Sequence, residues 1–539
     1  MARAMVAAIA LAVALVSWSA GPAGAEQAGG RAAVHPYVAR PLAGRIDAGA
    51  NHTCAIVDDG SVRCWGAFSP ALGYAELTES VGDDEDPSLY GSVFLGNGRT
   101  ATALSTGSSH TCAILDDGTV LCWGDGSHGR LGYGNTTDIG DTESPAAAGT
   151  VDLGAGRTAT AISAGSSHTC AVLDDGTVLC WGYYSGGALG HPYPTGPGQF
   201  PTDIGDDETP ASAGPVDIGT GRTATAIAAD GGTTCAILDD ASLRCWGALF
   251  SNPATWIGDD ETPGSVPPVD FGPGRTATAV TIGGGHTCAI LDDGTVRCWG
   301  TDNGSGELGY PGVTEVIGDD ESPGSMGPVD IGAGRTATSI SASSTTTCVV
   351  LDDGGTRCWG FHEYGALGNP NINEAIGDDE TPGSKPVIRL GPQRTATAVA
   401  AGTFRACALL DNGRLRCWGL NFDGQLGYGN TDLIGDDEHP NTAGPVELGG
   451  LVSIAPSAPS PLATVTGPNQ VTVTWGTPLP GSAALVSYEV IGAGRAPVVT
   501  TANSAVFSKL ASPGRYTFTV TATNVARTGP AGVSNRVSL

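Results

Sequence analysis

Cysteine is the residue type in this sequence with the most readily interpreted chemistry. The 14 cysteines fall into seven pairs, and nine residues separate the two members of every pair. Disulfide bonding and metal ligation are both open to such pairs, but zinc sites favour a separation of about two residues. The spacing therefore favours disulfides. The pairs are Cys54 and Cys64, Cys112 and Cys122, Cys170 and Cys180, Cys235 and Cys245, Cys288 and Cys298, Cys348 and Cys358, and Cys407 and Cys417.

The residues between the two cysteines of each pair predict a β-hairpin. In the first pair the sequence DDG forms a three-residue loop in which Gly60 takes the left-handed conformation. Pairing outwards from this loop places Cys54 opposite Cys64 at a non-hydrogen-bonded position. Such positions bring Cα atoms to about 4.5–5.5 Å, which a disulfide spans. We therefore expect one disulfide per hairpin and an oxidising compartment.

The hairpins belong to a longer repeat. The first cysteines of successive pairs are 58, 58, 65, 53, 60 and 59 residues apart. In the third unit a strand at 161–164 precedes the hairpin, and the segment around Val216 is predicted as a fourth strand. Seven units of four strands predict an all-β fold, namely a seven-bladed β-propeller with one disulfide per blade. The tryptophan after each second cysteine, such as Trp65, faces small residues and is expected to pack against the neighbouring blade.

The repeated sequence resembles a known family. Its pattern is H-T-C-A, two apolar residues, D-D-G-x-V-x-C-W-G, and a loop L-G-Y-G at 131–134 and 426–429. It resembles the regulator of chromosome condensation repeat over residues 45–455, in an exported bacterial form. The resemblance implies a β-propeller. Eukaryotic members act inside the nucleus in nucleotide exchange on a small GTPase and in chromatin binding, a role that we do not expect for this chain.

The C-terminal region has a different pattern. Proline and serine are frequent before it, and strands of alternating apolar and polar residues follow. The run LASPGRYTFTV at 510–520 resembles the fibronectin type III β-sandwich, in which Trp475 would be the core tryptophan and Tyr516 the corner tyrosine. The expected domains are a signal peptide (1–25), an N-terminal segment (26–44), the propeller (45–455), a linker (456–463) and the fibronectin type III domain (464–539).

The N-terminus and the charge indicate the compartment and exclude one class of partner. Arg3, an apolar stretch from Val6 to Val16 and a cleavage site at Ala23–Ala25 are typical of an export signal. About 11 apolar residues are too few to span a bilayer, so no membrane insertion is expected after cleavage. We expect a secreted or cell-surface protein, with the periplasm also open. The net charge of −30 repels phosphate backbones, so no nucleic-acid partner is expected.

A second repeated motif, G-D-D-E in six units and G-D-T-E in the second, lies between each hairpin and the predicted fourth strand. Clustered carboxylates suggest calcium, but the spacing matches no EF-hand or nonapeptide calcium motif. An arginine of an R-T-A-T sequence, such as Arg99, follows six of the seven loops. We therefore expect structural ion pairs between loops and arginines, or plain solvation of the carboxylates, with calcium or partner contact as alternatives. The candidate calcium ligands are Asp83, Asp84, Glu85, Asp206, Asp207 and Glu208.

Histidine recurs two residues before the first cysteine, but not in every unit. His52, His110, His168 and His286 occupy this position, whereas the last unit has Arg405. A ring of metal ligands would not accommodate an arginine. Structural hydrogen bonds are therefore the expected role.

A binding site requires residues that do not repeat. The loop of the third unit, 183–203, is the longest, and its partner-binding candidates are Tyr183, Tyr184, His191, Tyr193 and Phe200. Aromatic side chains on the loops of a rigid scaffold suit protein or glycan binding. No catalytic motif is evident, so no enzyme is expected. The sequence predicts an extracellular binding scaffold for a protein or glycan. A calcium-stabilised structural protein is the alternative, and a hydrolase or lyase on extracellular polysaccharide is less favoured.

Overall fold

The computed structural model describes residues 44–192, 203–248, 256–301, 304–452, 459, 461–475, 485–495, 497–512, 514–524 and 532–539. The signal peptide expected at 1–25 lies outside these residues. The chain divides into two compact units, one over 1–56, 61–410 and 415–449 and the other over 57–60, 411–414 and 450–539. Among the described residues, no helix has the length and apolar character that a membrane span requires.

The described residues of the first unit form seven three-stranded antiparallel sheets, one per repeat. They are sheet 1, with β1 (Ile46–Ala48), β2 (His52–Ile56) and β3 (Val62–Gly66); sheet 2, with β4 (Ala101–Thr106), β5 (His110–Leu115) and β6 (Val120–Gly124); sheet 3, with β7 (Ala159–Ala164), β8 (His168–Leu173) and β9 (Val178–Gly182); sheet 4, with β10 (Ala224–Asp230), β11 (Thr233–Leu238) and β12 (Leu243–Gly247); sheet 5, with β13 (Ala277–Ile282), β14 (His286–Leu291) and β15 (Val296–Gly300); sheet 6, with β16 (Ala337–Ala342), β17 (Thr346–Leu351) and β18 (Thr356–Gly360); and sheet 7, with β19 (Ala396–Gly402), β20 (Arg405–Leu410) and β21 (Leu415–Gly419).

Short helical turns lie in the loops that follow the hairpins, and most begin with proline, whose fixed φ suits a first helical position. Among the described residues one turn is α-helical, α1 (Pro210–Ala213). The 3₁₀ turns in the described loops are Pro70–Leu72, Pro87–Tyr90, Ser127–Gly129, Pro145–Ala148, Pro263–Ser265, Glu363–Gly365 and Pro382–Ser384.

The cysteine hairpins have the register that the sequence predicts. Cys54 lies opposite Cys64, and the turn glycine Gly60 has φ +82°. All seven predicted disulfides are present, with Cα–Cα distances of 4.0–4.1 Å. In sheet 4 the turn residue is Ala241 instead of glycine, yet it keeps the left-handed conformation at φ +64°. The prediction of one disulfide per hairpin is confirmed.

The prediction of a fourth strand is wrong. The segment around Val216 makes one sheet-like hydrogen bond, from its N–H to Val178 O at 2.9 Å. The preceding Pro215 has no N–H to donate. The carboxylate of Asp217 accepts the N–H of Gly219 at 2.9 Å, and this side-chain turn directs the backbone away from the sheet. Each repeat therefore contributes a three-stranded sheet.

In sheets 1, 2, 3, 4, 6 and 7 a tryptophan side chain forms a hydrogen bond to the repeat before it. The indole N–H of Trp123 donates to Ala71 O at 2.9 Å, and that of Trp181 donates to Arg130 O at 3.0 Å. The same hydrogen bond connects the first repeat to the last, because the indole N–H of Trp65 lies 3.0 Å from Gln425 O. Since Trp65 is fully buried, its bond to a backbone carbonyl satisfies a donor that would otherwise be costly.

The second unit contains two antiparallel sheets and a short strand pair. The strands are β22 (Leu462–Gly467), β23 (Gln470–Thr474), β24 (Leu485–Gly492), β25 (Val498–Thr500), β26 (Ser504–Phe507), β27 (Arg515–Tyr516), β28 (Phe518–Asn524), β29 (Gly532–Val533) and β30 (Val537–Ser538). The strand orders are β22-β23-β26 and β25-β24-β28-β29 in the two sheets and β27-β30 in the pair.

Side chains from both larger sheets of the second unit form one apolar core. Trp475 is buried in it and packs edge-on against Tyr488, with ring centroids 5.3 Å apart. The hydroxyl of Tyr516 donates to Ala511 O at 2.8 Å. These are the positions that the sequence resemblance assigns to a core tryptophan and a corner tyrosine. β22 begins at Leu462, inside the segment predicted as linker.

Candidate functional site

The repeated histidines lie between neighbouring sheets. His52 Nε2 is 2.8 Å from the hydroxyl of Thr111, and His168 Nε2 is 2.9 Å from that of Thr234. Burial lowers the pKa of His52 to about 3, with Arg405 adding to the effect, and burial lowers the pKa of His168 to about 4. The imidazoles are therefore neutral at physiological pH and act as structural hydrogen-bonding groups. That expectation from the sequence is confirmed.

Arg405 occupies the histidine position of the last repeat and contacts the first. Its guanidinium donates to Ala50 O at 2.7 Å, to Gly49 O at 2.9 Å and to His52 O at 2.8 Å. The side chain is fully buried. Burial lowers its pKa to about 9, while the nearby Asp47 acts in the opposite direction. Arg405 is thus charged at neutral pH, and its guanidinium forms charge-assisted hydrogen bonds to backbone carbonyls.

Two buried carboxylates lie on inner strands of the first unit. Asp47 accepts the N–H of Thr106 at 2.8 Å, and Asp230 accepts the hydroxyl of Ser166 at 2.6 Å. The second oxygen of Asp230 is buried without a hydrogen-bond partner. Burial raises the pKa of both residues to about 7. Sequence reasoning did not single out either residue, because a lone aspartate in a strand carries no motif.

The acidic loops have a structural role through their glycines. Gly205 has φ +97°, and a Cβ on it would collide with Gly129 O of the preceding repeat. Its own carbonyl accepts the N–H of Asn135 at 3.1 Å. Gly82 is placed in the same way, since a Cβ there would lie 2.8 Å from Gly424 O. The glycine of the motif is therefore required for close packing between repeats.

The carboxylates of these loops cluster at the surface. The side-chain oxygens of Asp83, Asp84 and Glu85 lie within 4.8 Å of one another, as do those of the second candidate set, Asp206, Asp207 and Glu208. Burial raises the pKa of Glu85 to about 7, and the neighbouring Asp84 adds to the effect. Such groups can offer oxygen ligands to a hard cation. Calcium binding stays a prediction.

The expected ion pairs between the acidic loops and the R-T-A-T arginines are wrong. Arg99 Nε lies 2.7 Å from Asp116 Oδ1, and Arg99 also pairs with Asp117. These aspartates belong to the D-D-G turn of the same sheet. The reason is the register, because Ala101 at the start of β4 pairs with Leu115 at the end of β5, which brings the arginine to the turn. Arg157, Arg222, Arg275 and Arg335 make the equivalent pairs.

The predicted partner-binding residues lie in the loop after β9. Tyr183 is 42% exposed and its ring lies 4.5 Å from that of His128, whose Nδ1 is 2.7 Å from Asp203. The hydroxyl of Tyr184 lies within hydrogen-bond distance of His191 O and Gly258 O. Burial lowers the pKa of His191. Tyr193 and Phe200 lie outside the described residues.

Sequence reasoning missed a second group of aromatic residues. Phe361, Tyr364, Phe404 and Phe422, which we call the aromatic patch, come from three loops of the last two repeats. Their rings form a row in the order Phe361, Phe404, Tyr364 and Phe422. The centroids of successive rings in this row are 5.3–5.7 Å apart. A comparison of repeats position by position could have drawn attention to Phe404 and Tyr364, because glycine occupies the position of Phe404 in the fourth repeat and that of Tyr364 in the third.

Comparison with known proteins identifies the repeat. The Regulator of chromosome condensation (RCC1) repeat matches residues 45–69, 101–130, 159–185, 277–307 and 396–425. Over these segments the chain is similar to RCC1-repeat proteins. Ultraviolet-B receptor UVR8 of Arabidopsis thaliana is 26% identical over 390 residues, 72% of this chain and 79% of the receptor. RCC1 domain-containing protein RUG3, mitochondrial, of the same plant is 26% identical over 329 residues, 60% of this chain and 66% of RUG3.

A solved structure supports the same fold. A chain in the crystal structure of Kap60 bound to yeast RCC1 (Prp20) superposes with a TM-score of 0.54 at 17% sequence identity, covering 79% of this chain and 90% of that one. At this identity the similarity concerns the fold alone, and it is that of an RCC1-like propeller. The similarity to these proteins does not assign an activity to this chain.

Proposed function

We propose that this RCC1-repeat chain is an exported binding scaffold and not an enzyme. In this proposal seven blades form a closed propeller, a fibronectin type III module follows, and loops of the propeller hold a protein or glycan outside the cytoplasm. The proposal includes removal of the N-terminal signal. Binding is also consistent with the propeller-containing complex of Kap60 and yeast RCC1.

The observation that carries this proposal is that repeated and non-repeated residues have different roles. The repeated cysteines, tryptophans, histidines and arginines bond within a sheet or to a neighbouring one. The exposed aromatic residues, by contrast, differ from repeat to repeat. Tyr183 is an example, since the equivalent position is Ala67 in the first repeat and Asp125 in the second. Exposed aromatic side chains with no structural duty are typical of contact surfaces.

Capture by the purified full chain tests the proposal. We expect the immobilised protein to retain a component of the culture medium or of the cell-surface fraction, and Tyr183→Ser to reduce that retention. The substitution removes an exposed ring, so the melting temperature should stay within about 2 °C of the parent protein. Leu89→Ser, which changes a 74% exposed apolar residue elsewhere on the unit, is the matched control. Equal retention by both variants would contradict a contact at Tyr183, and a protein confined to the cytoplasm would contradict export.

A calcium-stabilised structural protein is the second candidate, because the carboxylates of the acidic loops converge. The arginines that were expected to neutralise them pair instead with the hairpin turns. A ligand that binds only the folded state raises its stability. A rise of several degrees in melting temperature on adding calcium, reversed by chelator and absent with magnesium, would favour this candidate. No change would leave the loops as packing elements with solvated carboxylates.

A further inference from the structure

The aromatic patch is a continuous, accessible chain of rings. Ring centroids are 5.3 Å apart for Phe361 and Phe404, 5.6 Å for Phe404 and Tyr364, and 5.7 Å for Tyr364 and Phe422. None of the four residues is buried, and Phe422 is 47% exposed. The ring of His362 lies 5.9 Å from that of Phe361 and extends the patch at one end.

Two residues of the patch have a backbone conformation with positive φ, which is unfavourable for a bulky side chain. Phe404 has φ +57° and Tyr364 has φ +61°, a region that bulky side chains rarely adopt. At the position of Phe404, the β10–β11 turn of sheet 4 has Gly232 with φ +83°. At the position of Tyr364, the loop after sheet 3 has Gly186 with φ +54°. The fold accepts glycine at both places, so the aromatic rings there are not a requirement of the fold. Strain of this kind is typical of functional positions.

The exposed charged residues that adjoin the patch in sequence are acidic. Glu363 precedes Tyr364 and Asp423 follows Phe422, both are exposed, and the segments 361–369 and 420–432 contain no lysine or arginine. The cation nearest in sequence, Arg405, is buried on the carbonyls of the first repeat. The whole chain has a net charge of −30, which attracts cationic partners from a distance.

We propose that the aromatic patch binds a basic segment of a protein partner, through arginine or lysine side chains stacked on its rings. Aromatic faces attract guanidinium and ammonium groups, and Glu363 and Asp423 can accept their N–H donors in charge-assisted hydrogen bonds. This inference rests on the proposed binding function and names the partner's chemistry and a contact surface distinct from Tyr183.

The probe is a fluorescein-labelled peptide of alternating arginine and glycine, added to the full chain at low salt and followed by fluorescence anisotropy. Phe404→Gly and Tyr364→Gly each install the residue found in another repeat and leave the net charge unchanged. We expect each to weaken binding about two- to fivefold and the double variant about tenfold or more. A peptide with glutamine in place of arginine should bind neither the parent protein nor the variants.

Ala241→Gly is the control, since it relieves the same backbone conformation without removing a ring, and it should leave the peptide affinity unchanged. Phe422→Ser is a further variant at an exposed position, and it should weaken binding without lowering the melting temperature. Full affinity in the double variant would mean that diffuse charge alone holds the peptide and would overturn the inference. Ring-dependent binding of a neutral glycan in place of the peptide would also overturn it. If Tyr183→Ser abolishes capture but the arginine peptide binds the double variant with full affinity, the proposed binding function is supported. Only the assignment of a basic partner to the aromatic patch is then wrong.

Discussion

The contact between the second and third repeats and the contact between the seventh and first repeats share the tryptophan hydrogen bond but differ at the histidine position. Both have the tryptophan bond, from Trp181 to Arg130 O at 3.0 Å and from Trp65 to Gln425 O at 3.0 Å. Between repeats 2 and 3, His110 then bonds to Thr169 at 2.8 Å. Between repeats 7 and 1, Arg405 replaces the histidine.

The difference shows where a repeat array must depart from its consensus. A neutral imidazole is bonded to one hydroxyl of the next sheet, whereas the guanidinium of Arg405 reaches three carbonyls of sheet 1. The residues that meet across the contact of repeats 7 and 1 are far apart in sequence, so no connecting segment holds them together. A buried arginine with three carbonyl acceptors provides strong bonds at this one contact.

Among the substitutions at these two contacts, replacement of Arg405 should lower the free energy of unfolding most. Arg405→His installs the residue of four other repeats, yet we expect it to lower the free energy of unfolding by about 3 kcal/mol or more, because buried carbonyls lose their donors. His110→Thr installs the residue found at this position in sheets 4 and 6 and should cost about 1 kcal/mol. Urea unfolding of both variants measures the two values. Similar losses would show that the two contacts are energetically equivalent.

Removal of a disulfide should have a smaller effect that does not depend on the repeat. Replacing Cys407 and Cys417 by alanine, or Cys170 and Cys180 by alanine, should each cost about 2–3 kcal/mol, since both disulfides close loops of the same length. Thermal melts report the loss. Peptide mapping without reduction should first confirm the links in the parent protein, and a link between repeats would refute the hairpin pairing.

The buried carboxylate Asp230, which accepts a hydrogen bond from Ser166 of the preceding repeat, should make the stability of the first unit depend on pH. The pKa of Asp230 is raised to about 7, so the ionised form is favoured less in the folded than in the unfolded state. Its contribution to stability is therefore present below the unfolded pKa near 3.8 and is lost as the pH rises through about 7. Asp230→Asn should gain stability relative to the parent on going from pH 5 to pH 8, by roughly 1–3 kcal/mol. Melting temperatures of both proteins across this range test it, and a pH-independent difference would contradict a protonated Asp230.

The smallest expected effect concerns the hairpin turns. Ala241 has φ +64° where the other sheets have glycine, so Ala241→Gly should stabilise by up to about 1 kcal/mol. The reverse change in sheet 3, Gly176→Ala, should destabilise more, because its φ is +79° and the new Cβ would lie 2.5 Å from Thr223 Cβ. Thermal melts of both variants, with hydrogen exchange near Cys235 and Cys245, measure the difference. Destabilisation by Ala241→Gly would mean that the alanine makes contacts that outweigh its backbone strain.

Local patterns in the sequence determined the hairpins. The D-D-G turn sets the register of its two strands, and the cysteines are four positions from it on either side. Alternation then places Trp65 opposite Thr53 on the other face. These relations involve neighbours along the chain, so counting residues was sufficient to predict the disulfides and the side of the sheet on which each tryptophan lies.

Only the tertiary structure decided which residues meet outside the two-stranded hairpins. Arg99 was assigned to the wrong carboxylates, because the pairing of β4 with β5 brings it to the hairpin turn. The partner of Arg405 lies more than 350 positions away in sequence, and the aromatic patch gathers side chains from loops on two repeats. A repeated sequence determines the units, since their contacts are local. The contacts at which the repeat breaks depend on the arrangement of whole sheets, which no spacing along the chain records.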